Sequence, residues 1–177
     1  VGILCFTAPK RLSGLWVTCQ VFDLGEKGLD WAAFAYCELE SESRKQVHSD
    51  GVGKEQAFYY HLWVLEYLFF VWMVGVRTGQ EFSKEFYERI LMMVKFLKDV
   101  SHDKGEPPQF GDSDDGFVTR FEPVWSKQPF LDFLDVIDYV IGNTATPKNH
   151  KAFWYKSIIR STLKDPPAFS WQRFYPE

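Results

Sequence analysis

Leu62-Trp63-Val64-Leu65-Glu66-Tyr67-Leu68-Phe69-Phe70-Val71-Trp72-Met73-Val74 is apolar on every side except at Glu66. A helix that is hydrophobic all round is a buried one, and a membrane span needs roughly 20 consecutive apolar residues. This run is shorter and carries an acid. It reads as the buried central helix of a helical domain, running from about Lys54 to Arg77 and stopped by Thr78-Gly79.

Outward from that helix, the apolar spacing on both sides is helical. Upstream, Asp30 can cap a helix in which Trp31, Phe34, Ala35 and Leu39 recur at three- and four-residue spacing while Glu38, Glu42 and Lys45 face water. It should end near His48, before an Asp50-Gly51 turn. Residues 1 to 27, broken by Pro9, Gly14 and Gly25, read as irregular or short-helical. Downstream, Ser83 is placed to cap a helix from Lys84 to Val100, with Phe82 and Tyr87 forming a hydrophobic staple and Phe86, Ile90, Met93, Val94 and Leu97 as the apolar face. A polar loop covers 101 to 124. Pro129 opens a helix that runs to Ile141 and stops at Gly142, and Thr146-Pro147 opens a last one toward Arg160. The Asp132, Asp135 and Asp138 spacing within the former is that of a solvated stripe rather than a metal site. No stretch alternates at period two for long enough to make a strand. The expectation is an all-α chain of antiparallel helix pairs, compatible with part of an α/α toroid or with a bundle, and without an internal repeat.

Composition bounds what such a chain can do. The 177 residues are 46% hydrophobic and 25% charged, an ordinary globular balance that sets disorder aside. A net charge of −4 and no extended Lys/Arg run remove the electrostatic driving force for nucleic-acid binding. Aromatic residues reach 18% and include seven Trp. They fill cores or stack on ligand rings, and for any single one the core is the commoner fate. Cys5, Cys19 and Cys37 lack the close pairing of zinc or redox motifs and read as buried thiols that do not fix the compartment. The apolar start, Val1 to Phe6, has neither the basic stretch nor the cleavage site of a signal peptide, and with no initiator Met the chain reads as beginning inside a longer protein.

Two short segments can carry chemistry. In the first, the Gly-containing turn Asp50-Gly51-Val52-Gly53 leads through Lys54-Glu55-Gln56-Ala57-Phe58 to Tyr59-Tyr60-His61. If the helix begins at Lys54, Gln56 and Tyr60 share one face and Glu55 and Tyr59 the next, held rigidly at a surface the turn leaves open. A Tyr at a helix start is more often a half-buried structural residue, and a lone His a satisfied core group. The second is the loop Phe110-Gly111-Asp112-Ser113-Asp114-Asp115-Gly116. Counted from Asp112 as an EF-hand, its Gly falls at the fifth place instead of the sixth and Pro123 stands where the twelfth-position Glu should be, so calcium binding of that kind is excluded. Such carboxylates otherwise cap helices, accept hydrogen bonds from sugar hydroxyls or orient a base. Self-packing of the loop is an equal alternative. No metal and no cofactor are expected.

Together, an Asp-Gly turn, then Glu, then Tyr-His, followed about fifty residues later by GDSDDG, resembles the helical domain of heparinase II/III-like polysaccharide lyases over roughly Trp31 to Gly116. The GDSDDG string is the more specific part. The resemblance implies an α/α toroid followed by a β-sandwich, an acidic, uronate-containing polysaccharide such as a glycosaminoglycan as substrate, and cleavage by β-elimination. It implies Tyr60 as general acid and base, with His61 or Gln56 orienting it or binding substrate, and Glu55, Asp112, Asp114 and Asp115 on the substrate side. It also favours the periplasm or the exterior of a bacterium.

Departures from the family pattern are Ala57, where many relatives have Ser or Thr, and Phe117, where Arg often follows GDSDDG. No Asn-Asn-His segment of the kind that helps neutralise the substrate carboxylate is present, and Phe174 to Glu177 looks like the opening of the β-domain. The expectation is one helical domain over 1 to 177 that belongs to a larger enzyme and is inactive alone. Two other classes stay open: a non-catalytic acidic-glycan-binding or scaffold domain, and a glycoside hydrolase pairing Glu55 with an Asp of the loop.

Overall fold

The computed structural model describes residues 7–55, 57–101, 110–111, 118–119, 128–146, 151–152 and 155–157. Among them run α1 (Thr7–Val21), α2 (Gly25–Gln46), α3 (Phe58–Thr78), α4 (Lys84–Val100) and α5 (Pro129–Val140), and residues 151–152 and 155–157 are also helical. The described residues contain no strand, only an isolated antiparallel bridge between Val47 and Gly53. The described residues are all-α, as their apolar spacing requires.

α3 is the core helix. Leu65, Leu68, Phe69, Val71 and Met73 are wholly buried, and α1, α2 and α4 all pack against it. By length and composition α3 could cross a membrane, yet 67% of its most apolar window lies inside the fold. The burial of five such side chains, at about 1.5–3 kcal/mol each, makes it a large source of stability. It ends at Gly79 in the left-handed conformation, whose N–H returns to the Gly75 carbonyl.

α4 begins as its sequence prescribes. The Ser83 hydroxyl accepts the Phe86 N–H at 3.1 Å, and Phe86, Ile90, Met93, Val94 and Leu97 are all buried. Its staple is built differently from the expected pair. The Phe82 ring stacks on Phe86 at 4.3 Å and on Tyr36 at 4.8 Å, while Tyr87 stacks on Trp72 of α3 at 4.9 Å. Glu40 of α2 clamps the same helix start, accepting the Ser83 N–H at 2.6 Å and its hydroxyl at 2.7 Å. Pro129 opens α5 and the chain turns at Gly142, in agreement with the sequence. Asp138 departs from a purely solvated stripe by accepting both oxygens' worth of bonds from Lys98 Nζ, at 2.7 and 2.9 Å, which ties α5 to α4.

Several expectations need correction. Residues 7–21, read as irregular or short-helical, form one continuous 15-residue helix. Pro9 falls in its first turn, where the missing N–H costs nothing, and Trp16 is fully buried with its ring 5.0 Å from Phe82. α2 begins at Gly25, five residues before Asp30, because Asp23 Oδ1 accepts the Gly25 N–H at 3.0 Å and starts the turn earlier. Ala35 and Leu39 are buried as expected, but Trp31 and Phe34 of the same stripe are exposed. Glu42 is buried instead of facing water, accepting bonds from Lys45 at 3.0 Å and Gln46 at 2.8 Å. Cys37 is exposed and Cys19 half-buried, so neither is a core thiol; Cys5 lies outside the described residues.

Candidate functional site

The largest correction concerns the start of α3, which lies at Phe58 and not near Lys54. The chain between α2 and α3 is occupied by a tight turn. His48 N–H bonds the Val52 carbonyl at 2.9 Å and Lys54 N–H the Gln46 carbonyl at 2.9 Å, on either side of the Val47–Gly53 bridge. Ala57 is extended, at φ −140° and ψ 131°, and begins the helix without a side-chain cap. Glu55 therefore sits ahead of the helix and shares no helical face with Tyr59. Gln56 lies outside the described residues, as do Asp112, Asp114 and Asp115.

Two glycines decide how the turn docks. Gly51 is buried at φ +91°, and a Cβ there would meet the Met92 carbonyl of α4 at 2.1 Å. Only glycine combines that dihedral with that approach. Gly53 lies against the imidazole of His61, where a Cβ would stand 3.2 Å from Nδ1.

His61 is 4% exposed, and both ring nitrogens are engaged by backbone. Gly53 N–H donates to Nδ1 at 3.2 Å, so the proton resides on Nε2, which donates to the Met93 carbonyl at 3.3 Å. Burial pushes its pKa down to about 4, with the bond to Met93 opposing the shift. At neutral pH this is a neutral ring that links the turn, α3 and α4. Its two nitrogens are engaged by backbone and its ring faces α4, with Phe96 at 5.1 Å.

The aromatic residues ahead of it point to different neighbours. Phe58 stacks on Phe96 at 6.1 Å and Tyr59 meets Phe130 of α5 edge-on at 5.1 Å. Tyr60 lies beside Trp63 at 5.8 Å and is half-buried. Tyr60 thus lies in the first turn of α3 and is less buried than Phe69 farther along the same helix. A cavity of about 170 Å³ at the start of α3 is lined by Val52, Ala57, Phe58, Phe96 and Phe110 around the His61 ring, and Tyr60 is not among its lining residues.

Phe110, which precedes the acidic string in sequence, meets the same helix end. Phe58 N–H, one of the donors at the uncapped start of α3, bonds the carbonyl of Phe110 at 3.3 Å. Gly111 follows, at φ +76°, and GDSDDG continues from it. Farther along α3, Glu66 is 1% exposed and accepts bonds from Val118 N–H at 2.9 Å, Thr119 N–H at 3.3 Å and Thr119 Oγ at 2.7 Å. Lys151 Nζ at 2.6 Å and the Tyr155 hydroxyl at 3.3 Å complete its shell. Sequence reasoning noted this acid but gave it no role. The available signal was physical: a carboxylate in the middle of a buried run must collect donors from elsewhere in the chain. Among the described residues no three His, Cys, Asp or Glu side chains gather as a metal site.

No curated protein and no solved structure matches the chain. The family described as the heparinase II/III N-terminus matches residues 13–124, a span that begins within α1, takes in α2, α3 and α4, and includes both the turn leading to Tyr60 and the GDSDDG string. That match covers more than half of the sequence, and the chain accordingly belongs to the heparinase II/III family.

Proposed function

We propose that this chain forms one wall of a polysaccharide-lyase site in which Tyr60 is the general acid and base. The observation that carries the reading is the bond from Phe58 N–H to the Phe110 carbonyl. It joins the helix start that carries Tyr60 to Phe110, the residue directly before the acidic string, and this supports bringing the two family motifs together at one end of α3.

β-Elimination on a uronate polymer removes the proton on the carbon bearing the carboxylate and returns a proton to the glycosidic oxygen that leaves. The electron pair of the broken C–H bond becomes the new C=C bond, and the C–O pair departs with the leaving oxygen. One phenol can serve both steps, as phenolate taking the first proton and as phenol giving up the second. Half-burial at the helix mouth supports this use of Tyr60, since it allows substrate contact while Trp63 limits the ring's freedom. His61 serves as a positioning group that keeps the turn of residues 48–53 against α3 and α4. Glu55, Gln56 and the aspartates at 112, 114 and 115 are assigned to sugar hydroxyls. The toroidal arrangement of the whole domain, and a location outside the cytoplasm where such polymers occur, belong to the same proposal.

The test is to incubate the full-length protein with uronate polymers and follow the ultraviolet absorbance of the unsaturated product. Tyr60→Phe is expected to lower kcat by about 10²- to 10⁴-fold, the usual contribution of a proton-transfer group, with an unchanged melting profile. Wild-type turnover in that variant would remove Tyr60 from the chemistry. Reducing ends without absorbance would indicate a hydrolase, and glycan binding without any product a binding module.

A further inference from the structure

We infer that Glu66 is a positioning residue, which holds the chain at residues 118–119, directly after the acidic string, against the helix that presents Tyr60. The inference deepens the lyase reading and rests on it for its catalytic consequence.

The geometry of α3 supplies the argument. Segment 110–119 is attached to this one helix at both of its described ends, Phe110 at Phe58 N–H and Val118 and Thr119 at the Glu66 carboxylate. Those two attachment points are eight residues apart, about 12 Å along the helix axis. The chain from Phe110 to Val118 could reach up to about 27 Å if extended, so it is long enough to bridge the two attachment points. A carboxylate buried to 1% exposure is retained only when donors surround it, and Glu66 has them on three sides. Two are the backbone amides of the segment itself. The Thr119 hydroxyl is a third donor from the same segment. Lys151 supplies the countercharge, with its ammonium also 5.1 Å from the centre of the Phe133 ring. Tyr155, fully buried, has its phenol pushed well above its usual range by burial and by Glu66, so it remains a neutral donor. Rigid α3 thus carries Tyr60 near one attachment and Glu66 at the other, and the carboxylate sets where the acidic string ends relative to the phenol.

The experiment compares two double variants of the full-length protein. Glu66→Leu with Lys151→Met removes both charges together, so no buried ion is left alone, and it deprives Val118 and Thr119 of their acceptor. Glu66→Gln with Lys151→Met also removes the charges but keeps one carbonyl oxygen, an acceptor for one of the two amides, which bond different carboxylate oxygens in the wild type. Amide hydrogen exchange at Val118 and Thr119 is expected to speed up by about tenfold or more in the Leu/Met protein. Its kcat should fall by about tenfold, with KM changed less, while the Gln/Met protein, which keeps an acceptor for one of the two amides, should lose less, about threefold in kcat. Wild-type exchange in a folded Leu/Met protein overturns the inference, and so does accelerated exchange with undiminished kcat. Equal losses in both variants would show general loosening and overturn it as well. If the Leu/Met protein does not fold, Thr119→Val takes one donor from the same carboxylate, and unchanged exchange at Val118 in that variant is the overturning result. Absence of lyase product from the wild-type protein would defeat the functional reading alone, because the exchange measurement does not depend on turnover.

Discussion

The starts of α3 and α4 solve the same problem in opposite ways. Each helix must satisfy its first backbone amides. α4 does so with its own neighbours in sequence: Ser83 accepts the Phe86 N–H, and Phe82 stacks on Phe86. α3 has no side-chain cap at Ala57 and takes its acceptor from Phe110, more than fifty residues away in the chain. The locally capped start is closed by aromatic packing and a Glu40 clamp. The remotely completed start is bordered by a cavity of about 170 Å³ and presents a half-buried phenol. A helix end that borrows its partners from distant segments brings those segments together, which is what assembling a site requires.

The contrast breaks most severely at the turn that seats α3. Gly51→Ala would place a Cβ at 2.1 Å from the Met92 carbonyl in a residue at φ +91°. Overpacking against backbone and a left-handed L-residue together should cost about 2–5 kcal/mol. The measurement is denaturant unfolding of wild type and variant. If the two starts were equally independent of their surroundings, the variant would unfold with an unchanged midpoint.

A smaller effect sharpens the role of His61. Its folded-state pKa of about 4 lies below its ordinary 6.5, so the unfolded chain binds the extra proton first as pH falls. The stabilisation is complete above pH 6.5 and declines as pH drops through the window from 6.5 toward 4, amounting to a loss of about 2 kcal/mol by pH 5. Melting temperature measured from pH 8 to pH 5 should fall accordingly in the wild type. His61→Phe should begin lower, having left Gly53 N–H and the Met93 carbonyl without the ring, but should lose less over the same range. An identical pH dependence in both proteins would mean that another group carries it.

The same contrast explains what could be read from the letters. The Ser83 cap, the buried face of α4, the Pro129 start of α5 and the stop at Gly79 are each decided by residues within a few positions of one another. So is the burial of α3, because its apolar run admits no solvated face. The helix start at Phe58 is hard to read because Lys54 to Ala57 are good helix residues, whereas the Val47–Gly53 bridge, the approach of Gly51 to α4 and the bends at Lys54 and Glu55 are tertiary facts that delay the helix. Tyr60 was found through its motif, and its half-exposure could not be distinguished from burial by spacing. His61 shows the limit most clearly. The Tyr-His pair drew attention to it as a chemical partner, while its neutral, doubly bonded environment depends on Gly53 and Met93, eight and thirty-two residues away. Glu66 was conspicuous in sequence, yet its donors at 118, 119, 151 and 155 could only be identified in three dimensions.

Ser83→Ala is the mildest probe of the comparison and the one that isolates local capping. The substitution removes the acceptor for Phe86 N–H and the hydroxyl that donates to Glu40 at 2.7 Å, but the Ser83 backbone N–H can still reach Glu40. Loss of an N-cap costs about 1 kcal/mol, equivalent to a melting temperature lower by about 2–4 °C for a chain of this size. The α3 end should be indifferent: lyase turnover and exchange at the Val118 amide are expected to match wild type, because none of the contacts around Tyr60 or Glu66 passes through Ser83. A fall in turnover as large as the fall in stability would show that the two helix starts are coupled, and the division between a structural end and a working end would have to be abandoned.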